Sequence, residues 1–146
     1  MKPCLQCKES TKRTEAIYCS NKCQLDFQYE QYIQKWKSGE LSGSRGIQAK
    51  NISKHLRRYL LEKYDHKCVI CRWSEKNVYT DAVPLEVDHI DGSSENNQED
   101  NLRIICPNCH ALTSNFRNLN KGKGINILKS QCKLCHLSSV ARATLL

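Results

Sequence analysis

Ten cysteines in 146 residues fall into five close pairs, Cys4/Cys7, Cys19/Cys23, Cys68/Cys71, Cys106/Cys109 and Cys132/Cys135, and this pairing constrains the fold more than any other feature. Two thiols separated by two or three residues face one point from a single turn of chain, which is how a metal knuckle is built. Hydrophobic residues make up 39% of the chain and aromatics 7%, too little for a large apolar core, so metal sites are expected to hold the fold together. The first residues, Met1-Lys2-Pro3-Cys4, carry no apolar stretch of the kind a secretory signal needs, and no run of about 18 apolar residues occurs. The expectation is an intracellular, cytoplasmic chain in a reducing compartment, with no membrane partner.

Cys4-x2-Cys7-x11-Cys19-x3-Cys23 offers four soft ligands within 20 residues, enough for one tetrahedral zinc site in a segment too short to hide free thiols in a core. Cys68-x2-Cys71 and Cys106-x2-Cys109, with 34 residues between them, predict a second structural zinc closed across a long loop. Lys and Arg total 23 against 15 Asp and Glu, a formal charge of +8. Eight thiolates on two zinc ions lower this by four, to about +4, and the remaining excess suits a polyanionic partner.

Apolar residues at Leu25, Tyr29, Tyr32, Ile33 and Trp36 recur at helical intervals and predict a helix over 21–37. Three glycines and three serines between Ser38 and Gly46 then read as a linker, which places domain bounds at 1–37, 38–50 and 51–125, with a tail of unassigned role over 126–146. A second helix is predicted between Ile52 and Tyr64, capped by Asn51 or Ser53, with Ile52, Leu56, Tyr59 and Leu60 on its apolar side. Its Arg57 and Arg58 are candidates for phosphate contacts, although a solvated face would look the same. Alternation over 77–80 and 83–87 predicts short extended pieces, and Asn101-Leu102-Arg103-Ile104-Ile105 a further strand. Leu112, Phe116 and Leu119 predict a short helix from His110 to Leu119. The class is a small, zinc-stabilised α+β fold.

Closing the second zinc loop carries His110, next to Cys109, toward Asp88-His89. A carboxylate with an imidazole can hold a divalent cation and leave positions open for phosphate and water, and a second, free imidazole can accept a proton near neutral pH. Adjacent strand residues face opposite ways, so a bend at Ile90-Asp91-Gly92 is needed for Asp88 and His89 to serve one phosphate.

Val87-Asp88-His89-Ile90-Asp91-Gly92, Asn101-Leu102-Arg103 and Ile105-Cys106-Pro107-Asn108-Cys109-His110 resemble the motif of HNH (His-Asn-His) endonucleases, in the zinc-knuckle form frequent in phage and mobile-element proteins. The resemblance is specific from about Cys68 to Lys123 and looser over the N-terminal cysteines and the Tyr32–Lys37 helix. It implies a ββα-metal lobe that cuts double-stranded DNA with one Mg2+ or Mn2+. By that resemblance His89 is the general base, Asp88 and His110 hold the ion, and Asn101, twelve residues after His89 and nine before His110, restrains the loop and orients His89. Some relatives supply a further His one helical turn after the counterpart of His110. This chain has Ser114 there, which favours an oxygen-rich, Mg2+-like site. Arg103, Arg117, Lys121 and Lys123 are candidate phosphate contacts.

The same residues admit a second reading, a non-catalytic zinc-dependent nucleic-acid-binding module on a degenerate HNH fold. One such site cuts one strand, so a double-strand break would need a homodimer or two successive nicks. Cys132-x2-Cys135-His136 supplies three ligands with no second pair nearby and receives no role.

Overall fold

The computed structural model describes residues 2–46 and 51–117. Lys121, Lys123, Cys132, Cys135, His136 and the predicted end of the last helix at Leu119 lie outside these residues. In chain order the elements are α1 (Asn21–Lys37), α2 (Lys54–Lys63), β1 (Glu86–His89), a 3-10 turn (Glu99–Asn101), β2 (Leu102–Ile105) and α3 (Pro107–Ala111). No helix among them is long and apolar enough to cross a membrane.

The two zinc-type quartets are built on one plan. In each, a knuckle supplies the first pair: Cys4 N–H donates to Glu9 O and Lys8 N–H to Cys4 O, and likewise Cys68 N–H to Trp73 O and Arg72 N–H to Cys68 O. Both knuckles turn through a left-handed residue, Lys8 and Arg72, each at φ 65°. The second pair stands at a helix start. Ser20 caps α1 by accepting from Cys23 N–H, and the Cys106 sulfur caps α3 by accepting from Cys109 N–H.

α1 has the predicted bounds and buries Tyr29, Ile33 and Trp36, while Leu25, expected on the same stripe, is 58% exposed. α2 starts at the Ser53 cap, whose hydroxyl accepts from Leu56 N–H, and buries Leu56 and Leu60. These five side chains share one cluster with Cys68, Leu85, Leu102, Ile104, Ile105 and Cys106, each apolar side chain contributing about 1.5–3 kcal/mol. Trp73 packs against its edge.

Polar ties lock α1 to α2. Tyr29 O–H donates to Glu62 at 2.6 Å, and Arg58 bridges Glu62 at 2.8 Å and Asp26 at 3.0 Å while lying 4.0 Å from the Tyr29 ring centre. The segment after α1, expected as a linker, is packed at its middle. Gly43, at φ +78°, accepts from Ser53 N–H, and a Cβ there would lie 2.8 Å from Leu56 Cδ2 and 3.0 Å from Trp36 Nε1.

β1 and β2 pair antiparallel with Asp88 opposite Arg103 and His89 opposite Leu102. Three expectations are corrected. Residues 77–80 form a turn rather than a strand, because Asn77 Oδ1 accepts from the N–H groups of Tyr79 and Thr80. β2 begins at Leu102, since Asn101 belongs to the preceding 3-10 turn. α3 spans Pro107–Ala111 rather than starting at His110, because Cys106 caps it and Pro107 opens its first turn; Leu112, expected inside it, is 84% exposed.

Candidate active site

The strand period puts Glu86 and Asp88 on one face of β1, and α3 crosses that face. His110 on α3 meets both carboxylates. Its Nδ1 is hydrogen bonded to Glu86 Oε2, and its Nε2 lies 3.7 Å from Asp88 Oδ1. Asp88 is buried, 4% exposed, and its other oxygen accepts from Arg103 Nε at 2.7 Å across the hairpin. Asp88 Oδ1 and His110 Nε2 are close enough for both to lie about 2.0–2.2 Å from one divalent ion, and one hard and one borderline donor suit that role.

His89 faces elsewhere. Its Nε2 is 2.9 Å from Asn97 Oδ1, and its ring borders a groove of ≈ 380 Å³ lined also by Asn51, Ile52, Arg57, Glu86 and Ser94. The chain turns sharply after it, with Gly92 at φ +77° and Gly92 N–H donating to His89 O, the expected bend at 90–92. Asn115 closes the turn by donating to His89 O at 3.3 Å and Ile90 O at 2.9 Å, and a Cβ at Gly92 would lie 2.9 Å from Asn115 Cγ.

Asn101 holds the loop, as expected, but not the His89 ring. Its Oδ1 accepts from Asp91 N–H at 3.0 Å, and its Nδ2 donates to Asp91 Oδ1 at 2.9 Å and Asn96 O at 2.8 Å, which commits the whole amide to the loop. The ring's partner is Asn97. Burial works against ionisation of Asp91, yet the Ser93 N–H, the Asn96 and Asn101 amides and nearby His89 hold its carboxyl below the usual range.

The four sulfurs of each quartet lie within 4.8 Å of one another, with Cys7–Cys19 at 3.5 Å, Cys19–Cys23 at 3.3 Å and Cys71–Cys106 at 3.7 Å. These gaps are far beyond a disulfide bond and near the roughly 3.8 Å between thiolates of a tetrahedral zinc with Zn–S of about 2.3 Å. Within each quartet charge is unevenly borne. The Cys7 N–H draws Cys4 down to about 6, while the Cys23 thiol pushes Cys19 up to about 12. Burial raises Cys68, but N–H groups of Cys71, Cys106 and Ile70 outweigh it and bring the thiol to about 7; burial, followed by the Cys71 thiol, pushes Cys109 well up. Four thiolates together therefore require a cation among them.

The candidate phosphate contacts divide. Arg103 is committed to Asp88 and Arg58 to Glu62 and Asp26. Arg57 donates to Leu85 O at 2.7 Å from the wall of the His89 groove, and exposed Arg117 lies 5.0 Å from the Phe116 ring, itself edge-on to His110.

A family model described as HNH endonuclease matches residues 68–116, the span that holds the second quartet, the hairpin, α3 and Asp88, His89 and His110. Over these residues the chain is similar to HNH endonucleases. It is similar to the H-N-H endonuclease F-TflIV of Escherichia phage T5, at 40% identity over 82 residues that cover 54% of this chain and 34% of that protein. The chain thus spans about a third of the length of this curated relative. No solved structure gives a significant match. Three residues in contact with the candidate site escaped the sequence argument. Glu86 was legible, two residues before Asp88 and so on its face, whereas Asn97 and Asn115 carry no local signal.

Proposed function

We propose that this chain is a metal-dependent endonuclease that hydrolyses phosphodiester bonds in double-stranded DNA from a ββα-metal lobe. The observation that carries the reading is the convergence of Asp88 Oδ1 and His110 Nε2 to 3.7 Å, with Asp88 next to His89 in the chain, within the span matched by the HNH model. His89 takes the proton from the attacking water. Asp88 and His110 hold Mg2+ or Mn2+, which when bound stabilises charge on the phosphate and the leaving oxygen.

The remaining residues hold these groups in place. Arg103 fixes one oxygen of Asp88 and leaves the other toward His110; Glu86 fixes the His110 ring; Asn101 and Asp91 keep the turn after His89 closed. Two structural zinc ions on Cys4, Cys7, Cys19, Cys23 and on Cys68, Cys71, Cys106, Cys109 staple the knuckles to their helices, which suits a reducing, intracellular setting. Arg57 and Arg117 meet phosphates on either side of the site, and a double-strand break takes a second copy or a second nick.

Supercoiled plasmid incubated with purified, zinc-loaded protein tests this reading. Nicking that requires Mg2+ or Mn2+ and stops with EDTA supports it. Tight, salt-sensitive DNA binding without nicking on plasmid and mixed-sequence DNA contradicts it in favour of a binding module.

A further inference from the structure

Asn97 is 4% exposed although Glu95 and Gln98 on either side face solvent. Its polar atoms are used by parts of the chain far apart in sequence. Nδ2 donates to Ser42 O at 3.0 Å and to Ser44 Oγ at 3.2 Å, the Asn97 carbonyl accepts from Trp36 Nε1 at 2.9 Å, and Oδ1 faces His89 Nε2 at 2.9 Å. A backbone carbonyl only accepts, so the atom facing Ser42 O is the amide nitrogen and the atom facing the imidazole is the amide oxygen. An amide oxygen only accepts in turn. Nε2 of neutral His89 therefore bears the hydrogen, and the ring's lone pair is at Nδ1.

We propose that Asn97 is a positioning residue for His89, and that Trp36 and the Ser42–Ser44 turn, by holding Asn97, make the N-terminal part of the chain a support of the catalytic base. The inference rests on the reading of His89 as that base. Trp36, Ser42 and Ser44 all lie outside residues 68–116, so the matched domain does not by itself supply this support. The turn is also packed without slack, since a Cβ at Gly43 would lie 3.1 Å from Asn97 Cβ and 3.0 Å from Trp36 Nε1. A ring without the Asn97 contact samples both tautomers and more than one orientation, and only part of that population presents a base to water.

The test uses the full, zinc-loaded chain labelled with 15N-histidine, without added Mg2+ and at a pH where the rings are neutral. Long-range 1H–15N spectra of the wild type are expected to show a pyrrole-like Nε2 and a pyridine-like Nδ1 for His89. In Asn97→Ala the two nitrogens are expected to average, and kcat for plasmid nicking to fall about tenfold to a hundredfold with KM unchanged. Trp36→Phe keeps the ring in the core but removes the bond to Asn97 O, so the same spectral change is expected, smaller, even if Asn97→Ala fails to fold. A wild-type ring protonated at Nδ1, or already averaged, overturns the proposal. So does a folded Trp36→Phe variant whose His89 signals and kcat equal those of the wild type. A wild type that nicks no DNA yet shows the Nε2–H ring overturns the nuclease reading while supporting the chain of hydrogen bonds from Trp36 to His89.

Discussion

Arg103 Nε donates to Asp88 Oδ2 at 2.7 Å across the hairpin register, and this pair decides which carboxylate oxygen faces His110. The pairing makes Arg103 a support of the site rather than a free phosphate anchor. Asp88 is 4% exposed, so removing its partner leaves a buried carboxylate uncompensated. Arg103→Leu is expected to lower stability by about 3 kcal/mol in urea unfolding and to cut nicking. An arginine serving only as a DNA contact would instead weaken DNA binding with no change in the unfolding midpoint.

Glu86 is hydrogen bonded to His110 Nδ1, the ring nitrogen other than the one turned to Asp88. Such a carboxylate fixes the imidazole tautomer and raises its basicity toward a metal. Glu86→Ala is expected to weaken Mn2+ binding about tenfold to a hundredfold, read by calorimetry on the zinc-loaded protein, with Glu86→Gln intermediate. Unchanged Mn2+ affinity in both variants would remove Glu86 from the site.

Zinc is expected to be inseparable from folding. Each quartet joins a knuckle to a helix start, and Cys68 and Cys106 sit in the shared core. Elemental analysis should find at least two zinc ions per chain, and a strong chelator at neutral pH should release them together with loss of helical circular dichroism. A chelated, metal-free chain with wild-type helicity would contradict this account.

Acid should loosen the α1–α2 lock. Burial works to raise Glu62, but the Tyr29 hydroxyl and Arg58 hold it below its ordinary value, and the reverse pressure of burial and Glu62 raises Tyr29. A depressed carboxyl contributes stability that is full above its unfolded pKa of about 4.3 and is lost as pH falls through the lower folded value. Urea midpoints of wild type and Glu62→Gln are therefore expected to differ at pH 6 and to converge as pH falls below 4. A gap that stays constant to pH 3 would show that the charge of Glu62 does not matter.

Much of this was legible in the residues because the signals were local. Helical spacing marks α1, spacing with a candidate cap at Asn51 or Ser53 marks α2, and cysteine spacing marks both quartets. Asp88 and His110 were paired through the zinc loop that joins them. The errors arose where two local rules competed or where no local rule applies. Over 77–80 the alternation of a strand hid an Asn77 turn, and the start of α3 was misplaced although Pro107 after Cys106 is a helix-start signal. Asn97 looks like one more polar loop residue. Only the packing of Trp36 and Gly43 beside it shows why Asn97 rather than Asn101 holds His89, and that packing has no trace in nearby sequence.

The central claim is that His89 is the base of a DNA-cutting site, and the most direct measurement compares supercoiled-plasmid nicking by the wild type and His89→Ala, both verified to carry their structural zinc and helices. The account predicts Mg2+- or Mn2+-dependent nicking by the wild type and a loss of at least about a hundredfold in the variant, with DNA binding retained. Equal nicking by the two proteins would contradict it.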